Sequence, residues 1–281
     1  MNIKSKLFHL STIMMVAMVV SLFLSCGSDN ENSGNPTGNI DLTVNGKQLV
    51  RINSTMLQYN SNGQLIKTKT LNDNSGSSET SYWYESKRIV VSPWNQIFKL
   101  SNGRIVGCEY TVLTSIDENA MTVDGKETYE YDNNGYLIKE TGPGFDYTED
   151  GNNLTMYAFT WQNGNISKMT RKCEDDDSWE EHDISYTSYP NTIPFIFNDY
   201  GYYASYYNVY LSWQGYFGKR CKNLPAKDVV TRYNYSYPTN IIDRTTYTYD
   251  YTFEDGLVTK VVTKWTYNGT PSSMVYELEW Y

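Results

Sequence analysis

The strongest constraint on this chain is a local pattern that recurs along it. Residues alternating with period two run into Asp or Asn, then Gly, and a new apolar alternation follows. Tyr129-Glu130-Tyr131-Asp132-Asn133-Asn134-Gly135-Tyr136-Leu137-Ile138 is the clearest copy. Tyr59-Asn60-Ser61-Asn62-Gly63-Gln64-Leu65-Ile66 and Tyr251-Thr252-Phe253-Glu254-Asp255-Gly256-Leu257-Val258 resemble it closely, and weaker copies turn at Gly103 and Gly164. Asn and Gly accept positive φ at little cost, and the alternation sends Tyr129 and Tyr131 to one face with Glu130 on the other. Each copy is therefore two antiparallel strands and a tight turn. The turn glycines lie 40, 32, 29 and 92 residues apart, too uneven for a regular solenoid.

Further strands are legible in Ser81-Tyr82-Trp83-Tyr84-Glu85, Tyr233-Asn234-Tyr235-Ser236-Tyr237 and residues 261–267 and 275–280, all rich in aromatic and β-branched side chains. The pattern predicts an all-β, antiparallel meander of roughly a dozen strands. So many strands must close or split into two sheets, because long open edges pair with other chains. Closure into a barrel-like fold is the preferred solution. Residues 190–225 break the alternation: Pro190 and Pro194 open the segment, Pro225 ends it, and Tyr203, Tyr206, Tyr207, Tyr210 and Trp213 recur every three or four residues. That spacing predicts one helix covering or plugging the sheet, with a tyrosine-rich loop as the alternative.

Residues 1–25 read as a lipoprotein signal peptide, with Lys4 and Lys6, an apolar stretch over residues 13–24, and small Ser25 before Cys26. The stretch is shorter than the roughly 20 residues a membrane-spanning helix needs. Cleavage before Cys26 makes its thiol the lipid acceptor. Residues 26–39 are polar, glycine-rich and acidic, a flexible tether, and residues 40–281 form a single β-rich domain. Acids just behind the cysteine, Asp29 and Glu31, resemble the signal that sends Bacteroidetes lipoproteins to the outer face of the outer membrane. The expected location is thus the outer membrane, lipid-anchored and surface-exposed, with a periplasm-facing placement as the alternative.

Two resemblances rest on these residues. The Tyr-x-Tyr-Asp-x-x-Gly-x-Leu string over residues 129–137 resembles a single YD repeat of the Rhs type, which builds β-shells. Residues 40–281 are similar to a family of Bacteroidetes lipoproteins of unknown function with a porin-like β-fold. The lipobox, the hairpins and Gly215-Tyr216-Phe217-Gly218-Lys219-Arg220-Cys221-Lys222-Asn223-Leu224-Pro225 carry that likeness. The resemblance implies porin-like topology and an envelope location, and it brings no activity.

Composition narrows the chemistry. Without residues 1–25 the chain loses two of its 23 basic side chains and none of its 32 acidic ones, leaving a formal net charge of −11. Such a charge repels phosphate backbones, so nucleic acid is excluded as a partner, and the membrane is reached through the lipid at Cys26. Cys108, Cys173 and Cys221 remain, an odd count that allows at most one disulfide. His9 leaves with the leader, so any catalytic triad depends on His182 alone, and two-histidine zinc sites are excluded. The acidic run over residues 174–183 is oxygen-rich, but it lacks EF-hand spacing and its turn glycine, and reads as a solvated loop. No cofactor, metal or catalytic residue is assigned, and the chain is read as no enzyme.

The 27 tyrosines and seven tryptophans are the functional signal. Such rings stack on sugars and give rigid contact area, so Tyr202, Tyr206, Tyr210 and Trp213 are the candidate residues for a glycan or peptide site, against plain packing. The function expected is non-catalytic binding of a glycan or another extracellular ligand. The alternatives are a structural envelope component and an outer-membrane pore, the last suggested by Tyr276, Leu278 and Trp280 alternating to an aromatic end. Cys26→Ala should abolish lipidation, since no second cysteine lies near the cleavage site; palmitate labelling that persists in the variant would refute the anchor.

Overall fold

Every one of the five hairpin glycines sits at positive φ: Gly63, Gly103, Gly135, Gly164 and Gly256 lie between +73° and +85°. Asn102, Asn163 and Asp255, each just before a turn glycine, share the left-handed region at 49–53°, giving two-residue turns of the primed type. At the other two turns a side chain replaces backbone. Asn60 Oδ1 accepts from the Asn62 and Gln64 amides, and Asp132 Oδ1 from those of Asn134 and Tyr136, all at 2.9–3.0 Å.

The structure is a computed structural model that describes residues 42–72, 76–93, 95–116, 119–143, 154–173, 178–194, 208–237, 239–267 and 269–281. The strands are β1 (Thr43–Val44), β2 (Lys47–Ile52), β3 (Thr55–Tyr59), β4 (Leu65–Asn72), β5 (Gly76–Tyr84), β6 (Arg88–Ser92), β7 (Gln96–Ser101), β8 (Arg104–Ile116) and β9 (Asn119–Tyr131). After them come β10 (Leu137–Pro143), β11 (Leu154–Gln162), β12 (Asn165–Cys173), β13 (Ser178–Pro190), β14 (Asn223–Asn234), β15 (Ile241–Glu254), β16 (Leu257–Tyr267) and β17 (Thr270–Trp280). One short helix, α1 (Asn208–Trp213), lies between β13 and β14. Each strand from β2 to β17 pairs antiparallel with the next, and β17 returns to β2 through Leu278↔Ile52, Glu279↔Arg51 and Trp280↔Leu49. The result is a closed barrel of sixteen strands, with β1 a short addition to β2.

Sixteen exceeds the dozen expected because a short strand such as β6, five residues long, has no Asn-Gly or Asp-Gly turn on either side to announce it. The alternation also overran β14: Tyr235 and Tyr237, expected in a strand, lie in the bend that follows Asn234.

In an antiparallel meander all odd-to-even connections share one rim, so the five glycine turns gather at the same end. There the ladder repeatedly slips by one residue, with Ile66, Val106, Ile138, Ser167, Thr259 and Val50 as the extra residues. The carbonyl just before each bulge is capped by an aromatic donor from the preceding or following strand. Tyr84 Oη donates to Leu65 O, Tyr131 to Ile105 O, Trp161 Nε1 to Leu137 O, Tyr186 to Ile166 O, Trp280 to Val258 O and Tyr59 to Leu49 O, all at 2.6–2.8 Å. Tyr251 does the same for Pro225 O at 2.8 Å.

The two faces of the wall differ sharply. Inward positions carry the core, with Leu49, Leu65, Ile89, Phe98, Ile105 and Leu224 fully buried. Outward positions carry cross-strand ion pairs: Arg51–Glu279 at 2.7 Å, Lys67–Glu79 at 2.7 Å, Lys139–Glu130 at 3.1 Å, Lys168–Glu181 at 2.9 Å, Lys264–Asp250 at 2.6 Å, and Lys99–Glu109. Exposed pairs of this kind add little stability; they show which face meets water-like surroundings.

Residues 208–222, in the connection from β13 to β14, pack inside the barrel at the glycine rim and fill it there. Gln214 Oε1 accepts from Leu65 N at 2.9 Å, Ile105 N donates to Tyr216 O at 2.9 Å, Lys219 N to Gly135 O at 3.0 Å and Lys222 N to Gly164 O at 2.9 Å. Phe217 packs edge-on against Phe98 and Tyr129, with ring centroids 6.2 and 5.0 Å away. Gly218 is what allows the contact: at φ +83°, a Cβ there would lie 2.4 Å from the Gly135 carbonyl oxygen. Gly218→Ala should therefore cost about 2–4 kcal/mol, whereas Gly269→Ala, also at positive φ (+77°) but with nothing within 4 Å, should cost about 1 kcal/mol. Denaturant melts that rank the two variants equally would show that the plug does not depend on this contact.

Candidate functional site

Tyr210 and Trp213, the two expected site residues that fall in α1, are 7% and 4% exposed. Their rings pack inside the plug instead of opening to solvent. Tyr202, Tyr206, Cys26 and the acidic residues 174–177 lie outside the described residues. The helical spacing of the tyrosines is realised over residues 208–213, where the chain is α-helical.

His182 is 4% exposed and its Nδ1 donates to Asp228 Oδ2 at 2.9 Å, with Asp228 fully buried. Its cross-strand neighbours on the inward face are Met169 and Val230. The imidazole is thus an internal hydrogen-bonding group between apolar side chains. Cys108, Cys173 and Cys221 are all free thiols and all buried. Burial, then the nearby carboxylates of Glu127 and Glu140, push the Cys108 thiol well above its ordinary range. Burial raises Cys221 also, against a weaker opposing hydrogen bond from Tyr186, so neither thiol is poised as a nucleophile.

The polar chemistry of the barrel lies on the inner wall from β9 to β15. Glu140 pairs with Tyr129 on one side and Tyr157 on the other; Tyr157 pairs with Arg171, Arg171 with Glu180, Glu180 with Arg232, and Arg232 with Asp243. Directly paired residues share a face, so these side chains form one inward row in which acid and base alternate from Glu140 onward. Arg171 Nη1 lies 3.9 Å from Glu180 Oε2, and Arg232 is ion-paired to Asp243. Strand tilt carries the row from depth to the open rim. Glu140 is buried at 6%, the Arg171 and Glu180 side chains are 13% and 22% exposed, and those of Arg232 and Asp243 reach 41% and 39%.

Glu127 stands one inward row from Tyr129 toward the open rim on β9, paired with Cys108, and accepts a hydrogen bond from Tyr129 Oη. Its side chain lies across β10 above Gly142, where a Cβ would come within 2.7 Å of Glu127 Cγ. Glu127 and Glu140 therefore share one stretch of the inner wall. Burial holds both carboxyls above the usual carboxylate range; Glu127 repels Glu140 and adds to its shift, while the Tyr129 hydrogen bond partly offsets that of Glu127. Sequence reasoning missed this pair, although the signal was present: the alternation that turns Tyr129 and Tyr131 inward turns Glu127 inward with them.

Because the folded carboxyls keep protons that unfolded glutamates release, this pair stabilises most below the ordinary Glu range. That contribution fades as pH rises through the folded values. From about pH 5 upward, wild type should lose about 1.4 kcal/mol per pH unit for each proton held in excess, and Glu140→Gln should lose less. Thermal melts between about pH 5 and 8 check this; parallel curves for the two proteins would mean that the pair does not titrate as described.

No family model matches the sequence, and no curated protein matches it. Several solved structures share the architecture, two of them porin-like proteins. One is a porin-like protein from Bacteroides uniformis ATCC 8492, with a TM-score of 0.56 and 15% identity over 81% of this chain and 89% of that one. The other is a porin-like protein from Bacteroides vulgatus ATCC 8482, with a TM-score of 0.56 and 13% identity over 80% of this chain and 91% of that one. At such identity the likeness establishes the fold: an all-β antiparallel barrel of porin-like architecture.

Proposed function

We propose that the chain is a non-catalytic binding module of the cell envelope, lipid-anchored at Cys26, whose barrel is a cup and not a conduit. The observation that carries this reading is the sidedness of the wall. A barrel immersed in lipid shows an outward apolar band, and a charge at its midplane costs about 2–4 kcal/mol. Here the outward strand centres carry Lys67, Lys99, Glu109, Glu130, Lys139, Lys168 and Lys264, with Met56, Leu71, Trp83 and Val275 scattered among them, while the buried apolar core points in. The plug at the glycine rim fills one end of the lumen, and the inward row from Tyr157 to Asp243 reaches solvent at the other.

Alternating guanidinium and carboxylate groups beside tyrosine suit a ligand rich in hydroxyls, such as a glycan, since planar charged groups form paired hydrogen bonds and rings stack on sugar faces. His182 is held by Asp228 between apolar neighbours and the buried thiols are unreactive, which supports binding without catalysis. Glycan arrays on the full chain should give retained signals that fall at least about tenfold, or about 1.4 kcal/mol, in Arg232→Ala. In planar bilayers the protein should leave conductance at the level of lipid alone. Stable channel openings would overturn the cup in favour of a pore, and a blank array with silent bilayers would favour a structural envelope component.

A further inference from the structure

We infer that Glu127, Glu140 and Thr155 form a site for a hard divalent cation, with calcium as its test case, on the inner wall of the barrel. Three observations meet there. Two carboxylates on adjacent strands face the same side, Glu140 buried and Glu127 partly so. Gly142, between them and β11, contributes no side chain, and Glu127 leans into the room this leaves. Thr155, paired with Gly142 on β11, is only 4% exposed, and its Oγ1 has no hydrogen-bond partner among the described residues. Thr155 is on the inward row of Cys108, Glu127 and Cys173, so its side chain projects from the face whose depression Glu127 enters over Gly142.

Buried hydroxyls are rarely left without a partner, and an exception asks what occupies the space beside them. A donor set of two carboxylates and a hydroxyl, all oxygen, selects a hard ion over a soft one. Among the described residues no cationic side chain answers either acid. Arg171 stands beyond Tyr157 and is engaged by Glu180. Among the described residues, the other groups facing the site are the Cys108 and Cys173 thiols and the Tyr129 and Tyr157 rings, none of which carries positive charge. A divalent ion would neutralise both carboxylates and give Thr155 Oγ1 its missing partner, with backbone carbonyls and water completing the shell.

The test uses the full chain, freed of metal by chelation, at pH 7.5. Calorimetric titration with calcium chloride should show a saturable site that weakens at least about tenfold in Glu140→Gln and several-fold in Thr155→Val. Terbium should report the same site through emission sensitised by the adjacent tyrosines and lost in Glu140→Gln. Both substitutions preserve shape, and circular dichroism confirms that the barrel is intact. Calcium held by the acidic residues 174–177 would persist unchanged in both variants and so separates from this site. Equal titrations for wild type, Glu140→Gln and Thr155→Val would overturn the proposal. So would a Glu140→Gln protein that gains thermal stability with no change in calcium binding, since the carboxyls would then share only a proton.

Discussion

The barrel depends on one hydrogen bond repeated around its glycine rim. At each bulge the ladder leaves a carbonyl without its strand partner, and an inward aromatic supplies the donor: Tyr59, Tyr84, Tyr131, Trp161, Tyr186 and Trp280 serve six bulged units in the same way. A buried carbonyl left unpaired costs about 1–3 kcal/mol, so without these donors every unit would carry a defect. The bulges in turn add the twist and bend that a sheet needs to close on itself. The large number of tyrosines is thereby explained by architecture before any ligand is invoked. Tyrosine combines a ring that fills the space beneath the rim with a hydroxyl that reaches the carbonyl. Burial keeps that hydroxyl a donor, since it pushes Tyr59, Tyr84, Tyr131 and Tyr251 far above the ordinary phenol range.

Closing sixteen strands raises a second problem. About eight strands enclose an interior that wall side chains can fill, and sixteen to eighteen leave a channel. This chain fills one end with its own β13–β14 connection. The plug follows the rim turn by turn, bonding near Leu65, Ile105, Gly135 and Gly164, so the turns that make the hairpins also give the plug its seats. With the apolar filling placed at one end, the inner wall toward the other end is free to be polar. The acidic pair and the alternating row occupy that half.

Much of this was legible before any coordinates. Gly63, Gly103, Gly135, Gly164 and Gly256 announced their hairpins, and Leu65, Ile105, Leu137, Ile166 and Val258, each two residues on, are the carbonyls that the aromatics cap. The helical spacing near Tyr210 and Trp213 marked the plug. What the chain could not disclose is register between distant strands. The row from Glu140 to Asp243 spans 103 residues of sequence, and its order is set by five successive pairings that no local pattern encodes. Strand number was undercounted for a related reason, since β6 is joined to both its neighbours without Asn-Gly or Asp-Gly. The buried fate of Tyr210 and Trp213 was equally non-local: a tyrosine stripe reads the same whether it lines a groove or fills a barrel.

The same physics that makes the rim repetitive makes the wall between β9 and β12 exceptional. Elsewhere many inward positions opposite a large neighbour are apolar, as with Phe98 beside Ile89 or Val261 beside Tyr251. On β9 and β10 the inward positions are Glu127, Glu140 and Gly142, and β11 adds Thr155. Replacing Glu140 by leucine would bring no loss of strand propensity and would remove a group whose charged form is costly at that depth. A fold selected for stability alone has no use for two mutually repelling carboxyls, an empty glycine position and an unpartnered hydroxyl in one patch. Their coincidence is what separates this patch from the tyrosine rim, where each bulge carbonyl has an aromatic donor and a structural reason to be there.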